Sequence, residues 1–124
     1  MRFMMLVKHP ETSMQPPKEF LDAMDKLNEE AAKSGAFQSG GALKPTAASA
    51  RVRLSGGEIR AIDGPFTEAK EIVGGFAILE FASREEAVKS AIEFMGLHKK
   101  YWPGWEGETE IRQILSPEDF SPCK

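Results

Sequence analysis

Several side chains in this sequence have types and spacings suited to acid–base chemistry. Asp63 is followed at once by Gly64-Pro65-Phe66. An aspartate in such a turn has two roles open to it. It can bond backbone N–H groups two residues on, or stand as a carboxylate at the mouth of a cleft, able to orient or deprotonate a partner. Lys70, just beyond, suits a substrate carboxylate, the neutralisation of Asp63, or a solvated charged face with Glu68 and Glu71. His98 is next to Trp102 and Trp105. Its imidazole is a candidate general base with a pKa near neutrality, and it equally suits the last turn of a helix, where a cation is favoured. His9 is a weaker candidate for the same part. Trp102, with Tyr101 and Trp105 around Pro103-Gly104, forms either a pocket wall or a packing plug. Glu110 and Arg112 fall on one face of a strand, and an arginine buried there needs an anion from Glu110 or from a ligand carboxylate. Phe66 reads as a core or interface anchor.

Other chemistries lack their signatures. The sequence has no Ser/His/Asp arrangement, phosphate loop or dinucleotide fingerprint, and Gly74-Gly75 starts a strand instead of opening a helix. Two histidines and one cysteine, Cys123, are too few for a structural zinc site or a disulfide framework. The expectation is cofactorless acid–base catalysis with no metal. Net charge is −3 and no basic block stands out, which argues against nucleic acid. The apolar run Phe3–Val7 is too short for a signal segment or a membrane span, so a cytoplasmic protein without membrane association is expected.

The elements that must position these groups follow from periodicity. Phe3–Val7 reads as a buried strand. Pro16-Pro17 then leads into a helix with Phe20, Leu21, Met24, Leu27 and Ala31 at helical spacing, stopped by Ser34-Gly35. Ala36–Leu43 is a weaker strand. Arg51–Leu54 and Glu58–Ile62 alternate around Ser55-Gly56-Gly57, a hairpin pattern. Val73–Phe81 is the strongest strand. Ser83 and Glu86 form a capping box before a helix with Ala87, Val88, Ala91, Ile92 and Met95 on one face, its regular part ending near Gly96. Thr109–Leu115 is the last strand, and the tail from Ser116 is polar and irregular. The order is β-α-β, an inserted hairpin, then β-α-β: an α+β, ferredoxin-like split βαβ in one domain spanning residues 1–124.

Two helices on one face of a sheet leave the other face open, where polar residues are expected. Here Met4 and Leu6 oppose Phe3, Met5 and Val7, and Phe76 and Ile78 oppose Ala77, Leu79 and Phe81, so both faces of the two central strands are apolar. A second copy, sheet facing sheet, is the simplest cover and predicts a homodimer. The competing arrangement folds the hairpin and the tail over the open face.

The segment Asp63-Gly64-Pro65-Phe66-Thr67-Glu68-Ala69-Lys70-Glu71 resembles the signature of the DGPF, or YCII-related, domain family, with alanine at position 69 where threonine is common. The opening Met1–Val7 and the segment Leu97–Glu108 are similar to one branch of that family. The resemblance implies a dimeric α/β barrel with a cleft between the sheet and the partner. Some members of the wider family are thought to be small enzymes with a His/Asp pair. Others occur beside extracytoplasmic-function sigma factors. The expected function is therefore a small-molecule acid–base enzyme of lyase or isomerase type, with Asp63 and His98 catalytic. Lys70, Arg112, Glu110, Trp102 and Phe66 would bind the ligand. The alternative is a non-catalytic ligand-binding or regulatory module associated with a sigma factor.

Overall fold

Residues of the first strand alternate between two environments. In the computed structural model, which describes residues 1–12 and 15–120, Phe3 and Met5 of β1 (Arg2–His9) are buried while Met4 and Leu6 are of intermediate burial. Helix α1 (Lys18–Ser34) follows, with Phe20 buried and Gly35 in the left-handed conformation as its C-terminal stop. Pro17 caps α1 from outside, so the first helical residue is Lys18. Next come β2 (Phe37–Ala42), a short 3-10 turn (Thr46–Ala48), and the hairpin β3 (Ala50–Ser55) and β4 (Glu58–Asp63). β5 (Ile72–Glu80), α2 (Arg84–Tyr101), β6 (Glu108–Gln113) and a 3-10 turn (Pro117–Phe120) complete the order. Cys123 lies outside the described residues.

Four strands form one antiparallel sheet in the order β2-β5-β1-β6, and β3-β4 form a separate two-stranded sheet. This is the α+β ferredoxin-like arrangement with an inserted hairpin. Met5, Leu79 and Ala91 centre the core, with Phe37, Ala77, Phe81 and Ile111 packed around them. Those residues come from all four strands and α2, so the helices cover one face. The capping box is made: Ser83 Oγ accepts the Glu86 N–H at 3.2 Å, and the Glu86 carboxylate accepts the Ala82 N–H at 3.1 Å.

The details of α2 differ from expectation in two ways. The helix continues through Gly96 to Tyr101. A glycine inside a helix costs only about 1 kcal/mol, and the burial of His98 beyond it anchors the last turns. Ile92 is 67% exposed instead of sharing the packed face. The face that meets the core runs through Ala87, Ala91 and His98, so a histidine holds a core-facing position. Leu21 on α1 is likewise exposed. At the chain's far end β6 stops at Gln113, although the Ile114 N–H still donates to the Arg2 carbonyl at 2.8 Å.

The hairpin turns through Gly56 and Gly57, both at positive φ (59° and 79°), the conformation that matches strand twist. Its pairs put Val52, Leu54, Ile59 and Ala61 on one side and Arg51, Arg53, Arg60 and Ile62 on the other. Val52, Leu54 and Ile59 are each more than 70% exposed, so this hairpin is not a lid folded on its apolar side over the core sheet. No helix among the described residues is long and apolar enough to cross a membrane.

Candidate functional site

The 63–71 segment is pinned at its start by backbone and one buried hydroxyl. The Gly64 N–H donates to the Ser49 carbonyl at 2.8 Å. A Cβ on Gly64 would sit 1.7 Å from the Thr46 carbonyl oxygen, so only glycine fits this approach. The Phe66 N–H donates to Thr46 Oγ1 at 3.1 Å. Thr46 is buried and passes the connection on: its N–H donates to the Glu11 carboxylate at 2.7 Å, and its hydroxyl donates to the same carboxylate. These two bonds hold the Glu11 carboxyl below its usual range, with a smaller contribution from His9. The chain from β1's end to the 3-10 turn to the loop is thus one hydrogen-bonded unit.

That unit frames an open groove of about 410 Å³. Lys44, Thr46, Ser49, Arg51, Phe66 and Glu71 contribute polar and aromatic wall, and Leu43, Ile72 and Val73 the apolar remainder. Arg51 lays its guanidinium 3.8 Å from the centroid of the Phe66 ring and donates to the Glu68 carboxylate. The Glu68 carboxyl is held low by its own backbone N–H and by Arg51. Asp63 is exposed at the end of β4, opposite Ala50, and its side chain makes no hydrogen bond among the described residues. Lys70 is exposed.

His98 sits elsewhere, in a nest of rings. It is only 5% exposed. The centroids of Trp105, Phe20 and Phe94 lie 4.1, 4.5 and 4.8 Å from its own, and Trp102 stacks nearly parallel at 6.3 Å. His98 Nδ1 is 3.0 Å from the Phe94 carbonyl oxygen. A carbonyl can only accept, so Nδ1 carries the proton and Nε2 keeps its lone pair. Burial pushes the imidazole below its ordinary pKa, the Phe94 bond opposes this, and the charge of His9 adds to the lowering. Thr109 Oγ1 is the one fully enclosed side-chain polar atom without a partner among the described residues. His98 Nε2 makes no hydrogen bond among the described residues. The ring of His9 lies 6.0 Å from that of Trp105 and packs over Gly74.

β6 carries the remaining residues on the sheet face away from the helices, Glu110 opposite Leu6 and Arg112 opposite Met4. The Glu110 carboxylate accepts from Lys8, which holds the carboxyl low and the ammonium high. Arg112 lies 3.8 Å from Glu110 with its side chain 72% exposed, so within one chain it is not the buried cation expected on that strand. No bond joins Asp63 to His98 among the described residues; the Phe94 carbonyl and His9 are what act on that imidazole. Lys44, Thr46, Arg51 and Glu11 escaped the sequence reading. The same described residues contain no cluster of three or more His, Cys, Asp or Glu side chains able to hold a metal.

Residues 1–93 match the family model described as the YCII-related domain. An uncharacterised protein of Rhizobium meliloti (strain 1021) is 47% identical over 49 residues, which span 40% of this chain and 40% of that protein's length.

Proposed function

We propose, from the premise that this chain belongs to the YCII-related domain family, that it is a small-molecule acid–base enzyme of lyase or isomerase type. The observation that carries the reading is His98: a buried imidazole with its tautomer fixed by Phe94, its pKa lowered, and its Nε2 without a hydrogen-bond partner among the described residues. Such a group is neutral at pH 7 and ready to accept a proton. Trp102 and Trp105 give an apolar substrate surface beside it. Phe66 and Lys70 belong to the loop that bounds the groove, and Asp63 supplies an unpaired carboxylate at the foot of the hairpin. Residues 1–124 act as one domain in this reading.

A homodimer completes it. Met4, Leu6, Phe76 and Ile78 share the sheet face that the helices leave open, together with Glu110 and Arg112. A second copy on that face would bury the apolar residues and turn Arg112 toward a cleft, where a ligand carboxylate can meet it. Sedimentation should therefore give twice the mass of one chain, and a well-folded monomer at micromolar concentration would remove the cleft from the proposal.

The catalytic reading is tested by a thermal-shift screen of small acids and lactones, followed by turnover assays on the hits. Asp63→Asn should abolish turnover while leaving the melting temperature of the dimer nearly intact, and His98→Gln should abolish turnover when assayed below its own, lower melting temperature. Wild-type turnover in His98→Gln would refute His98 as the base. One observation favours the non-catalytic alternative, a regulatory module that contacts a sigma factor: the exposed apolar side of the hairpin, with Val52, Leu54 and Ile59, is a surface fit for a protein partner. Binding without turnover across the whole screen would move the proposal to that alternative.

A further inference from the structure

The groove beside the 63–71 loop has a chemistry of its own, distinct from the His98 nest. Lys44 and Arg51 put two cations in its wall against one acid, Glu71. Lys44 makes no ion pair among the described residues. Glu71 acts on Lys8, outside the groove, so part of its charge is answered there. Glu68 engages Arg51 through one terminal nitrogen, Nη1, and leaves the rest of the guanidinium's donors for another acceptor. The Phe66 ring lies 3.8 Å from that guanidinium and helps to hold it in the groove wall, where its fork suits a planar oxyanion. Thr46 has no donor to spare, since its hydroxyl proton goes to Glu11 and its N–H to the same carboxylate. In the same wall, Leu43 and Val73 are exposed at 48% and 37% and offer apolar surface.

We propose that this groove binds a small organic monocarboxylate, its charge held by Lys44 and Arg51 and its apolar body lying along Leu43, Ile72 and Val73. Glu68 answers part of the charge of Arg51, and Lys44 has no ion pair among the described residues, so the pair of cations suits a single carboxylate, while Glu71 in the wall disfavours a dianion such as phosphate. A flat body of one ring fits easily within 410 Å³. The assignment goes beyond the acid–base reading and does not need His98 to be a base.

Isothermal titration with benzoate tests it on the intact chain, with benzamide and inorganic phosphate as comparisons. Benzoate should bind, with benzamide weaker by about tenfold or more, and phosphate should not displace benzoate at equal concentration. Arg51→Gln and Lys44→Gln should each weaken benzoate by about tenfold. Lys44 is exposed and far from the core, so its variant decides the matter if Arg51→Gln fails to fold. His98→Gln should bind benzoate as the wild type does, which keeps a failure of the catalytic reading separate from a failure here. Equal affinity for benzoate and benzamide, displacement by phosphate, or unchanged affinity in Lys44→Gln would each overturn the proposal.

Discussion

Replacing Thr46 by valine isolates the hydrogen bonds that hold the 63–71 loop. Valine has nearly the shape of threonine, so packing around the buried side chain survives while Oγ1 is lost. Two bonds vanish with it: the one accepted from the Phe66 N–H, and the one donated to Glu11. The Thr46 N–H keeps its own bond to Glu11. The Glu11 carboxylate is open to water, which takes the hydroxyl's place. The Phe66 N–H has no such replacement in its buried position, and an orphaned buried donor costs about 1–3 kcal/mol. Thr46→Val should therefore lower unfolding stability by about 1–3 kcal/mol in urea at pH 7, with the slope against urea unchanged. Thr46→Ser is the control, since it keeps both bonds and loses one methyl, a cost of about 1 kcal/mol or less. Acid adds a second readout. The folded Glu11 carboxyl is held below its ordinary value, so the stability it contributes is present above pH 4.5 and is lost as pH falls through the folded value. That acid-side loss should be smaller in Thr46→Val. If Thr46→Val unfolds no more easily than Thr46→Ser, the hydroxyl does not satisfy Phe66 and the loop is held some other way.

Two further outcomes follow from the same contacts. The His98 pKa is lowered by burial, so the unfolded chain binds a proton that the folded chain refuses; wild-type melting temperature should fall as pH drops below 6.5, and His98→Phe should flatten that part of the profile. An unchanged slope would mean that His98 is not enclosed. Gly64→Ala should cost more than about 3 kcal/mol or prevent folding, because its Cβ meets backbone at 1.7 Å. Gly74→Ala should cost less than about 1 kcal/mol, because it meets only the swingable ring of His9. Comparable urea midpoints for the two variants would refute the backbone clash.

The sheet was readable from sequence because its signal is local. The apolar runs Phe3–Val7 and Val73–Phe81 mark buried strands, and Ser83 with Glu86 marks a helix start without reference to anything distant. His98 was readable as a residue but not as an environment. Its place on the packed face of α2 depends on Phe20 from α1 and Trp105 beyond the helix, and no periodicity links those three. The groove was hidden for the same reason. Glu11 bonds Thr46 across 35 positions, and Thr46 bonds Phe66 across 20. Such contacts exist only once β1 and β5 are paired, since that pairing brings the end of one strand beside the loop that precedes the other. The extent of α2 past Gly96 also turned on tertiary packing, which outweighed a weak local propensity.

The tie between Ser49 and Gly64, with Thr46 and Phe66 just below it, closes the hairpin at its foot as a clasp closes a loop of cord. Above the clasp the backbones of β3 and β4 pair only with each other among the described residues, and Arg51, low on β3, reaches back to Glu68 of the loop. Residues can therefore be added or removed in pairs near Gly56-Gly57 without disturbing the groove below. Arm length becomes a trait that can diverge among relatives while the loop and its groove stay constant, and the hairpin tip is the natural place to graft a tag or a reporter peptide.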